Sequence, residues 1–395
     1  MPDTISSLFP KSITLWKNFG VVRVLLPEGE YEVTTFRSDG PYLDGRHPST
    51  VTFSSAEEDA KRRDFTINAL FYDPLEEKVI DFVGGIEDLK NGIIRTVGDP
   101  QQRFSEDYLR LIRCARFSAR FKFKIEQNTL IAMGKLKDGI KKVSAERIRD
   151  EITKMLTEGN PRQAFEILEQ TGLLEEILPE LSHLKNVPQP PEYHPEGDVL
   201  SHTFLCLEKL PENPPIILAL GVLLHDVGKK FSFTVEERIK FPKHEAVGAE
   251  IAKNILERLR FSKNEIESVC WLIKNHMCLI QFPQMRESTK KRLFMHPLFP
   301  YLIELVRIDI LASHGDISLL EIVQENWKNF LLEKPKVKPL LRGKDLIEMG
   351  YTPGPIFKEI LNAVENAQLE GQITSIEEAR QFVLANWPLS KVEDT

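Results

Sequence analysis

The chain has 395 residues, of which 42% are hydrophobic and 28% are charged. That length allows roughly two to four domains with substantial cores, and the apolar content excludes an intrinsically disordered chain. Four cysteines in so long a chain exclude a disulfide scaffold and favour a reducing compartment. No apolar stretch reaches the roughly 18–20 residues that span a bilayer, and residues 1–20 lack the features of a signal peptide. We therefore expect a soluble, cytoplasmic protein without a membrane partner.

The net charge of −7 is distributed unevenly along the sequence. Residues 91–150 contain 14 Lys and Arg but only 7 Asp and Glu, so the remainder is strongly acidic. A local basic surface matters more for phosphate binding than the total charge does. The composition of this segment therefore allows a nucleic-acid partner, although a solvated helical surface would show the same composition.

The first ninety residues are predicted to be rich in β-structure, because short β-branched and aromatic runs alternate with turn residues. The predicted elements are a strand over 21–26, a turn at 27–30, a strand over 31–37, a polar loop over 39–48, and short strands near 68–72 and 79–83. This is too little sheet to stand alone. We expect that the first strands of the domain are missing.

From residue 100 onward, apolar residues such as Leu109, Ile112 and Phe117 recur at helical spacing. A segment with four prolines at 186–195 and a charged segment at 333–336 are predicted linkers. The tail over residues 341–387 is predicted to be helical, with a break at 353–355. The pattern predicts an α+β chain with domains over residues 1–98, 99–187, 196–332 and 338–390.

A short segment at 62–70 combines basic, acidic and amide side chains, including Arg63, Asp64 and Asn68. Arginine suits triphosphate oxygens because its planar guanidinium donates hydrogen bonds in pairs. Aspartate and asparagine suit ribose hydroxyls. A turn with Asx hydrogen bonds and a surface ion pair would contain the same residue types, so both interpretations stay open for the motif taken alone.

Glu106, Asp107 and Arg110 lie on a predicted helix, where spacings of three and four residues bring them to adjoining surface. A carboxylate beside a guanidinium offers acceptors and donors together, which suits the edges of cytosine and adenine. The alternative is an ordinary helix ion pair, which contributes about 0.3–0.5 kcal/mol.

Eight of the nine histidines lie between His183 and His314. An apolar helix at 216–224 ends in His225-Asp226-Val227-Gly228-Lys229, where an adjacent His and Asp can bind a divalent ion. Imidazoles and carboxylates suit first-row metals, and a metal-bound water is a nucleophile near neutral pH. Lys229 could then face a phosphate. The candidate metal ligands are His202, His225, Asp226, His244, His276 and Asp309.

Taken together, the N-terminal motifs are more specific than any one of them. Their order is YEVTTFR at 31–37, DGRHP at 44–48, RRDFTINAL at 62–70, DFVGG at 81–85, EDYLRLIRCARF at 106–117 and SAERI at 144–148. This series resembles the class II tRNA nucleotidyltransferase and poly(A) polymerase family over about residues 1–185. The histidine-rich segment resembles the HD superfamily of metal-dependent phosphohydrolases, which some bacterial CCA-adding enzymes contain.

The resemblance implies a palm at 1–98, a helical neck at 99–187, an HD domain at 196–332 and a helical tail at 338–390. It implies template-independent addition of CMP and AMP to the 3′ end of tRNA, from CTP and ATP, with Mg²⁺. The alternatives that stay open are a poly(A) polymerase or A-adding enzyme, an HD phosphohydrolase with an inactive transferase half, and a non-enzymatic tRNA-binding remnant. The sequence predicts no oligomeric state.

The resemblance also implies residue roles in the transferase half. Glu32 resembles the third active-site acid, and the nucleotide-contacting residues are implied to be Arg63, Asp64 and Asn68. The base-selecting set is implied to be Glu106, Asp107 and Arg110, with Arg113 and Arg116 extending a basic helix. Three further groups are the loop needed for adenosine addition (Asp44, Arg46, His47), a palm–neck hinge (Asp81, Gly84, Gly85, Asp88) and an RNA contact in the tail (Lys344).

For the histidine-rich segment, the resemblance implies a divalent transition metal or Mg²⁺ and hydrolysis of a phosphoester.

One departure from the family pattern concerns the metal-binding acids. The family begins with a Gly-Gly turn and Arg-Asp, followed by a strand with Asp-x-Asp that holds two Mg²⁺ ions. Neither motif occurs here, and residues 1–4 align just downstream of that strand. We expect either a true start upstream or a truncated copy, and favour the first because the other motifs are intact.

We predict that these 395 residues alone do not add nucleotides to tRNA, because Glu32 by itself cannot hold both ions. The test is incorporation of labelled ATP or CTP into a tRNA that lacks its 3′ end. Detectable incorporation by this chain would contradict the expectation.

Overall fold

The computed structural model describes residues 2–16, 21–40, 49–192, 194, 197–235, 239–333 and 338–389. It consists of two compact units, Met1–Cys270 and Trp271–Thr395. The division falls inside the predicted domain at 196–332, and the predicted domain limits stay predictions. Across the described ranges, every helix is too short or too polar to cross a bilayer.

The first unit begins with helix α1 (Pro2–Leu8) and an antiparallel sheet of order β1-β2-β3, formed by Ser12–Trp16, Val21–Leu26 and Gly29–Thr34. The predicted hairpin is confirmed, with Leu26 opposite Gly29 at its turn. Val22 and Val24 are buried because side chains two residues apart face the same side of a strand. The predicted second strand was wrong beyond residue 34, because the chain leaves this sheet there and starts a new pair.

That new pair is antiparallel and joins β4 (Arg37–Asp39) to β5 (Val51–Phe53). The palm region continues with α2 (Ala56–Lys61), the antiparallel pair β6 (Phe71–Asp73) and β7 (Lys78–Ile80), α3 (Gly85–Asn91), and the parallel pair β8 (Ile93–Ile94) and β9 (Lys124–Ile125). Its strands are short, so helices and turns supply most of the side chains around the clefts described below.

The neck region is helical, as predicted. Its helices are α4 (Pro100–Glu106), α5 (Leu109–Phe121), α6 (Gln127–Lys135), α7 (Ala145–Thr157), α8 (Pro161–Gln170), α9 (Leu173–Ile177) and α10 (Pro179–Ser182). Asp99 and Asn160 cap α4 and α8 through their side chains, and a proline follows each cap at the first helical position. Helix α5 buries Leu111, Ile112 and Ala115 and packs against α7 and α8.

The rest of the first unit surrounds an apolar helix. The elements are α11 (Val199–Glu208), α12 (Ile216–Leu224), α13 (Lys229–Ser232), β10 (Thr234–Val235), β11 (Ile239–Lys240) and α14 (His244–Arg258). Helix α12 is hydrophobic on all sides and is therefore buried. A Cβ on Gly228 would lie 2.2 Å from the carbonyl oxygen of His244, so only glycine allows the start of α13 to approach α14.

Helix α15 (Lys263–Asn275) spans the division between the units. The second unit continues with α16 (Glu287–Met295), α17 (Phe299–Ala312), α18 (Ser318–Glu333), α19 (Gly343–Glu348), α20 (Pro355–Leu369) and α21 (Ile376–Asn386). In the tail, Leu346, Ile360 and Val383 form a small buried core. The predicted break is confirmed, since α19 ends before it and α20 begins at Pro355.

Candidate functional site

A cleft of about 540 Å³ opens where the turn after α2 meets the start of α5 and of α7. The residues that line it are Arg62, Arg63, Asp64, Asn68, Asp107, Leu109, Arg110, Arg113, Phe117 and Arg147. Six of these were predicted site residues, and they come from two motifs some forty residues apart. The structure therefore brings the proposed sugar- and phosphate-contacting residues next to two of the three proposed base-selecting ones.

Asp64 is the central anion of this cleft. Its carboxylate accepts hydrogen bonds from Arg113 (Nε 2.9 Å, Nη2 2.7 Å), from Asn68 Nδ2 (3.1 Å) and from the backbone N–H of Phe65 (2.9 Å). Burial alone would raise the pKa of this carboxyl, but the Arg113 charge and these hydrogen bonds lower it overall. Asp64 is thus a buried, ionised group that fixes the directions of Asn68 and Arg113.

A second buried carboxylate, Glu151 on α7, lies beside the same helix face. It accepts a 2.6 Å hydrogen bond from Arg116 Nε, and its other oxygen is 3.7 Å from Arg113 Nη1. Arg116 lies on the same helix as Arg113, as expected, but it is buried against Glu151 and Phe117. Part of the positive charge of residues 91–150 is therefore neutralised inside the fold.

We expected the proposed base-selecting residues to lie on one helix, but the structure divides them between two helices. Asp107 leaves the helical conformation (φ −152°, ψ 104°), so α4 ends at Glu106 and α5 begins at Leu109. The Asp107 carboxylate accepts two hydrogen bonds from Arg147 on α7 (Nη1 3.1 Å, Nη2 2.7 Å). It also accepts one from the backbone N–H of Leu109 (3.1 Å).

The Arg110 side chain is held by different residues from those that hold Asp107. Its Nη1 donates to Glu106 Oε2 (2.7 Å) and to the carbonyl oxygen of Arg103 (2.8 Å), and its Nη2 lies 3.3 Å from the carbonyl oxygen of Arg62. Asp107 and Arg110 thus enter the cleft with defined orientations that two different neighbours impose. Helical spacing alone could not have predicted that arrangement.

A neighbouring cavity of about 620 Å³ shares Arg62 with this cleft. Its wall includes Asp39 at the end of β4, whose side chain is only 2% exposed and lies 3.1 Å from Arg37 and 3.6 Å from Arg62. Sequence reasoning missed Asp39 because it assigned residues 39–48 to a polar loop, whereas Asp39 is the last residue of β4.

The proposed acid Glu32 lies on β3, where it is largely exposed and pairs with Arg23 (3.1 Å). It is not among the described residues that line either cavity. The predicted loop residues Asp44, Arg46 and His47 lie outside the described part of the chain.

The proposed hinge forms a tight, capped turn. Asp81 accepts hydrogen bonds from the backbone N–H groups of Val83, Gly84, Gly85 and Ile86, which lower the pKa of its carboxyl although burial opposes them. Gly84 has a φ of +82°, which favours glycine. Asp88 is buried, where it accepts a hydrogen bond from Thr66 (2.7 Å) and pairs with Arg95. This turn fixes how α3 starts, and its proposed hinge role stays a prediction.

The histidine-rich part of the first unit contains a buried polar cluster centred on Asp226. The carboxylate of Asp226 lies 3.3 Å from His225 Nε2, 3.5 Å from His244 Nε2 and 3.9 Å from His202 Nε2. Helices α11, α12 and α14 each contribute one of these histidines, at or next to a helix end for α12 and α14. Four of the six predicted metal ligands therefore lie together within this unit.

The ring orientations suit metal binding. His225 Nδ1 is 2.8 Å from the carbonyl oxygen of Val222, and His244 Nδ1 is 3.0 Å from that of Phe241. A carbonyl only accepts, so each Nδ1 carries the proton and leaves the Nε2 lone pair directed at the Asp226 side. This donor set of imidazoles and a carboxylate fits a divalent metal.

Lys229 places a cation at the edge of the cluster. Its Nζ lies 2.6 Å from Asp226 and donates to Gln189 Oε1 (2.7 Å). Burial alone would raise the pKa of Asp226, but His225 and Lys229 hold it well below the usual range. Gln189 is 3% exposed, and its Nε2 has no hydrogen-bond partner among the described residues. Sequence reasoning missed Gln189 because it lies in a proline-rich segment that resembles a linker.

The other two predicted ligands belong to the second unit. His276 is buried at the end of α15, where its Nδ1 lies 2.6 Å from the carbonyl oxygen of Ile273. It therefore repeats the orientation seen at His225 and His244. Asp309 lies on α17. Their assignment as metal ligands stays a prediction.

Sequence models of three families match the chain: the poly A polymerase head domain over residues 1–95, the probable RNA and SrmB-binding site of polymerase A over 122–185, and the HD domain over 198–312. A crystal structure of the Bacillus stearothermophilus CCA-adding enzyme in complex with CTP is 26% identical, with a TM-score of 0.70. The structural match covers 98% of this chain and 86% of the Bacillus stearothermophilus chain. The mixed fold of the chain is therefore that of a CCA-adding enzyme.

Two curated relatives are more similar to the chain in sequence than that structure is. The A-adding tRNA nucleotidyltransferase of Deinococcus radiodurans is 33% identical over 83% of this chain and 78% of its own length. The CCA-adding enzyme of Lactobacillus helveticus is 47% identical over 45% of this chain, but only 44% of that relative is matched. The chain thus spans about half the length of several curated relatives that it matches. It belongs to the class II tRNA nucleotidyltransferase and poly(A) polymerase family and contains an HD domain, which confirms the resemblance.

Replacing Asp64 by Asn tests the central ion pair. The change keeps the shape of the side chain but removes its charge from Arg113, so we expect a loss of about 1–3 kcal/mol in the free energy of unfolding at neutral pH. Because folding lowers the pKa of Asp64, its contribution is present above the ordinary carboxyl range near pH 4 and is lost as the pH falls through the folded value. In the D64N protein, the free energy of unfolding should lack the decrease at low pH that protonation of Asp64 causes.

Urea unfolding at several pH values measures both effects. Asp138→Asn is the matched control, because the Asp138 carboxylate is 77% exposed in the same neck region. A D64N protein as stable as the wild type at neutral pH would contradict the assignment of Asp64.

Proposed function

We propose that the chain provides the nucleotide-selecting part of a tRNA nucleotidyltransferase that adds CMP and AMP to the 3′ end of tRNA. The observation that supports this most is the pair Asp107 and Arg110, which line one cleft with Arg63, Asp64 and Asn68. ATP and CTP would be the substrates and tRNA the partner. The four cysteines are free, which fits a reducing compartment such as the cytoplasm.

Base selection follows from the polarity of these two side chains. Cytosine and adenine both present an exocyclic amino donor next to a ring nitrogen acceptor on their Watson–Crick edges. Uracil and guanine present a carbonyl oxygen next to a ring N–H, which is the reverse. A carboxylate accepts a hydrogen bond from the amino group, and a guanidinium donates one to the ring nitrogen. Asp107 and Arg110 would therefore bind cytosine and adenine and exclude uracil and guanine.

Both groups retain hydrogen-bonding capacity for a base. An ionised carboxylate has about four lone-pair sites, and Asp107 uses three of them on Arg147 and Leu109. A guanidinium has about five N–H donors, and Arg110 uses three on Glu106 and two carbonyl oxygens. A single carboxylate–guanidinium pair can therefore serve both CTP and ATP, without a nucleic-acid template.

The remaining cleft residues suit the rest of the nucleotide. Arg63 and Arg113 would contact the triphosphate, and Asn68 the sugar. In the reaction, the ribose 3′-hydroxyl of the tRNA attacks the α-phosphate in line and pyrophosphate leaves. The family is metal-dependent, and we propose Mg²⁺, which when bound neutralises charge on the triphosphate. Of the two acids, Asp39 is better placed than Glu32 to support it, because Asp39 lines the adjoining cavity.

The same cleft would serve an A-adding enzyme or a poly(A) polymerase, because adenine satisfies Asp107 and Arg110 as cytosine does. The relatives favour tRNA, since their names refer to CCA addition or to A addition on tRNA. The tRNA would be recognised through its shape and backbone phosphates, and binding should therefore weaken as salt rises.

A second activity is supported by the buried cluster around Asp226. We propose that it binds a divalent metal and hydrolyses a phosphoester. Lys229 carries N–H donors beside Asp226 and contacts Gln189, whose amide nitrogen lacks a partner among the described residues. A phosphate oxygen would satisfy that nitrogen. His276 and Asp309 are proposed as further ligands, from the family resemblance alone.

Replacing Arg110 by Ala tests base selection. The wild-type chain should bind CTP and ATP more tightly than UTP and GTP by roughly ten- to a hundredfold, because a well-made paired contact to a base discriminates by about 1–3 kcal/mol. In the R110A protein this preference should weaken but not vanish, because Asp107 still accepts from the amino group of cytosine or adenine. Calorimetric titration of the full chain measures this without turnover.

The matched control for that experiment is Arg120→Ala, on the same helix but exposed and paired with Glu158. It should leave the selectivity unchanged. Selectivity in R110A as strong as in the wild type would contradict the assignment of Arg110 to base selection.

The double variant H225A/D226A tests the hydrolase assignment. It removes two central donors, so metal-dependent hydrolysis of p-nitrophenyl phosphate and of nucleoside 2′,3′-cyclic phosphates should be lost. CTP binding should persist, because the cleft is built from other residues. Phosphatase activity that survives the double change would contradict the site, and so would its absence from the wild-type chain with every divalent metal tried.

A further inference from the structure

Helix α11 brings a thiol next to one of the proposed metal ligands. His202 and Cys206 are four residues apart and therefore share a face of the helix, and both are fully buried. Cys206 Sγ lies 3.4 Å from His202 Nε2. Potential ligand atoms of His202, Cys206 and His225 all lie within 4.8 Å of one another.

The distance between the sulfur and the imidazole nitrogen suits a shared metal ion. Zinc lies about 2.3 Å from a cysteine sulfur and about 2.0–2.1 Å from a histidine nitrogen, so the two ligands of a tetrahedral ion are about 3.5 Å apart. The observed 3.4 Å matches that separation. The backbone of α11 would not need to move for both side chains to bind one ion.

Proximity to histidine distinguishes Cys206 from the other thiols. Among the described residues, Cys206 belongs to a cluster of potential metal ligands, whereas Cys114, Cys270 and Cys278 belong to none. A buried cysteine otherwise behaves as a small apolar side chain. The alternative for Cys206 is a plain S–H···N hydrogen bond to His202, and the experiment below separates the two.

We propose that Cys206 is itself a metal ligand of this centre and binds, as a thiolate, next to His202 and His225. When the metal binds, the thiol proton is released to solvent and a sulfur–metal bond forms. A soft thiolate favours Zn²⁺ or Co²⁺ over Mg²⁺, which prefers oxygen ligands. The centre would therefore select a thiophilic ion, unlike the Mg²⁺ proposed for the transferase reaction.

Cobalt spectroscopy of the full chain tests this directly. After metal removal, titration with Co²⁺ should produce d–d bands together with a near-ultraviolet sulfur-to-cobalt charge-transfer band. The band should persist in the triple variant C114A/C270A/C278A and disappear in C206S. Cobalt affinity in C206S should fall by at least the roughly 10–100-fold loss caused by changes around metal ligands. Cys278→Ser is the matched control and should change neither quantity.

Each outcome bears on the proposal. A wild-type spectrum without the charge-transfer band, or a band that survives C206S, would overturn it. If C206S fails to fold, the triple variant still decides, since Cys206 is then the one thiol left to produce the band. The proposal uses the same centre as the proposed hydrolase. Cobalt d–d bands without a charge-transfer band would contradict only the proposal that Cys206 is a ligand. The absence of any cobalt binding would contradict the proposed metal centre as well.

Discussion

The structure around the cleft depends on ion pairs between arginines and buried or partly buried carboxylates. Asp64 and Glu151 hold Arg113, while Glu106 holds Arg110 and Arg147 holds Asp107. An arginine side chain has roughly 2 kcal/mol of rotamer entropy to lose, and a mobile guanidinium would donate to any acceptor within reach. These pairs restrict that freedom before a nucleotide arrives. Fixed directions of donation and acceptance are what allow a protein surface to distinguish one base edge from another.

Neighbouring groups also fix the side-chain orientations in the histidine cluster, where hydrogen bonds to backbone carbonyls replace ion pairs. Backbone carbonyls of Val222 and Phe241 accept hydrogen bonds from the Nδ1–H groups of His225 and His244, so the opposite nitrogens face Asp226. The Val222 carbonyl is available because the last acceptors of α12 have no partner within the helix, whereas the Phe241 carbonyl belongs to the turn between β11 and α14. Gly228 contributes by letting two backbone segments approach closely. In both sites, a hydrogen-bonding neighbour determines the orientation of a proposed functional group.

The sequence allowed much of this to be predicted, and its failures have physical causes. A run of β-branched and apolar residues identified the strand Val21–Leu26, and helical spacing identified α5, because these signals lie within the segment itself. The pairing of Asp107 with Arg147 spans forty residues and could not follow from spacing on one helix. The burial of Arg116 could not follow from its own segment, because its partner Glu151 lies on another helix. The exposed position of Glu32 and the buried position of Asp39 likewise depend on how the strands pair.

A crystal structure of the full chain soaked with CTP tests the central claim most directly. The account predicts the cytosine ring beside α5, with its amino group donating to Asp107 and its ring nitrogen accepting from Arg110. Arg147 and Glu106 should keep their present contacts. A cytosine bound elsewhere, or one whose Watson–Crick edge faces solvent, would contradict the account.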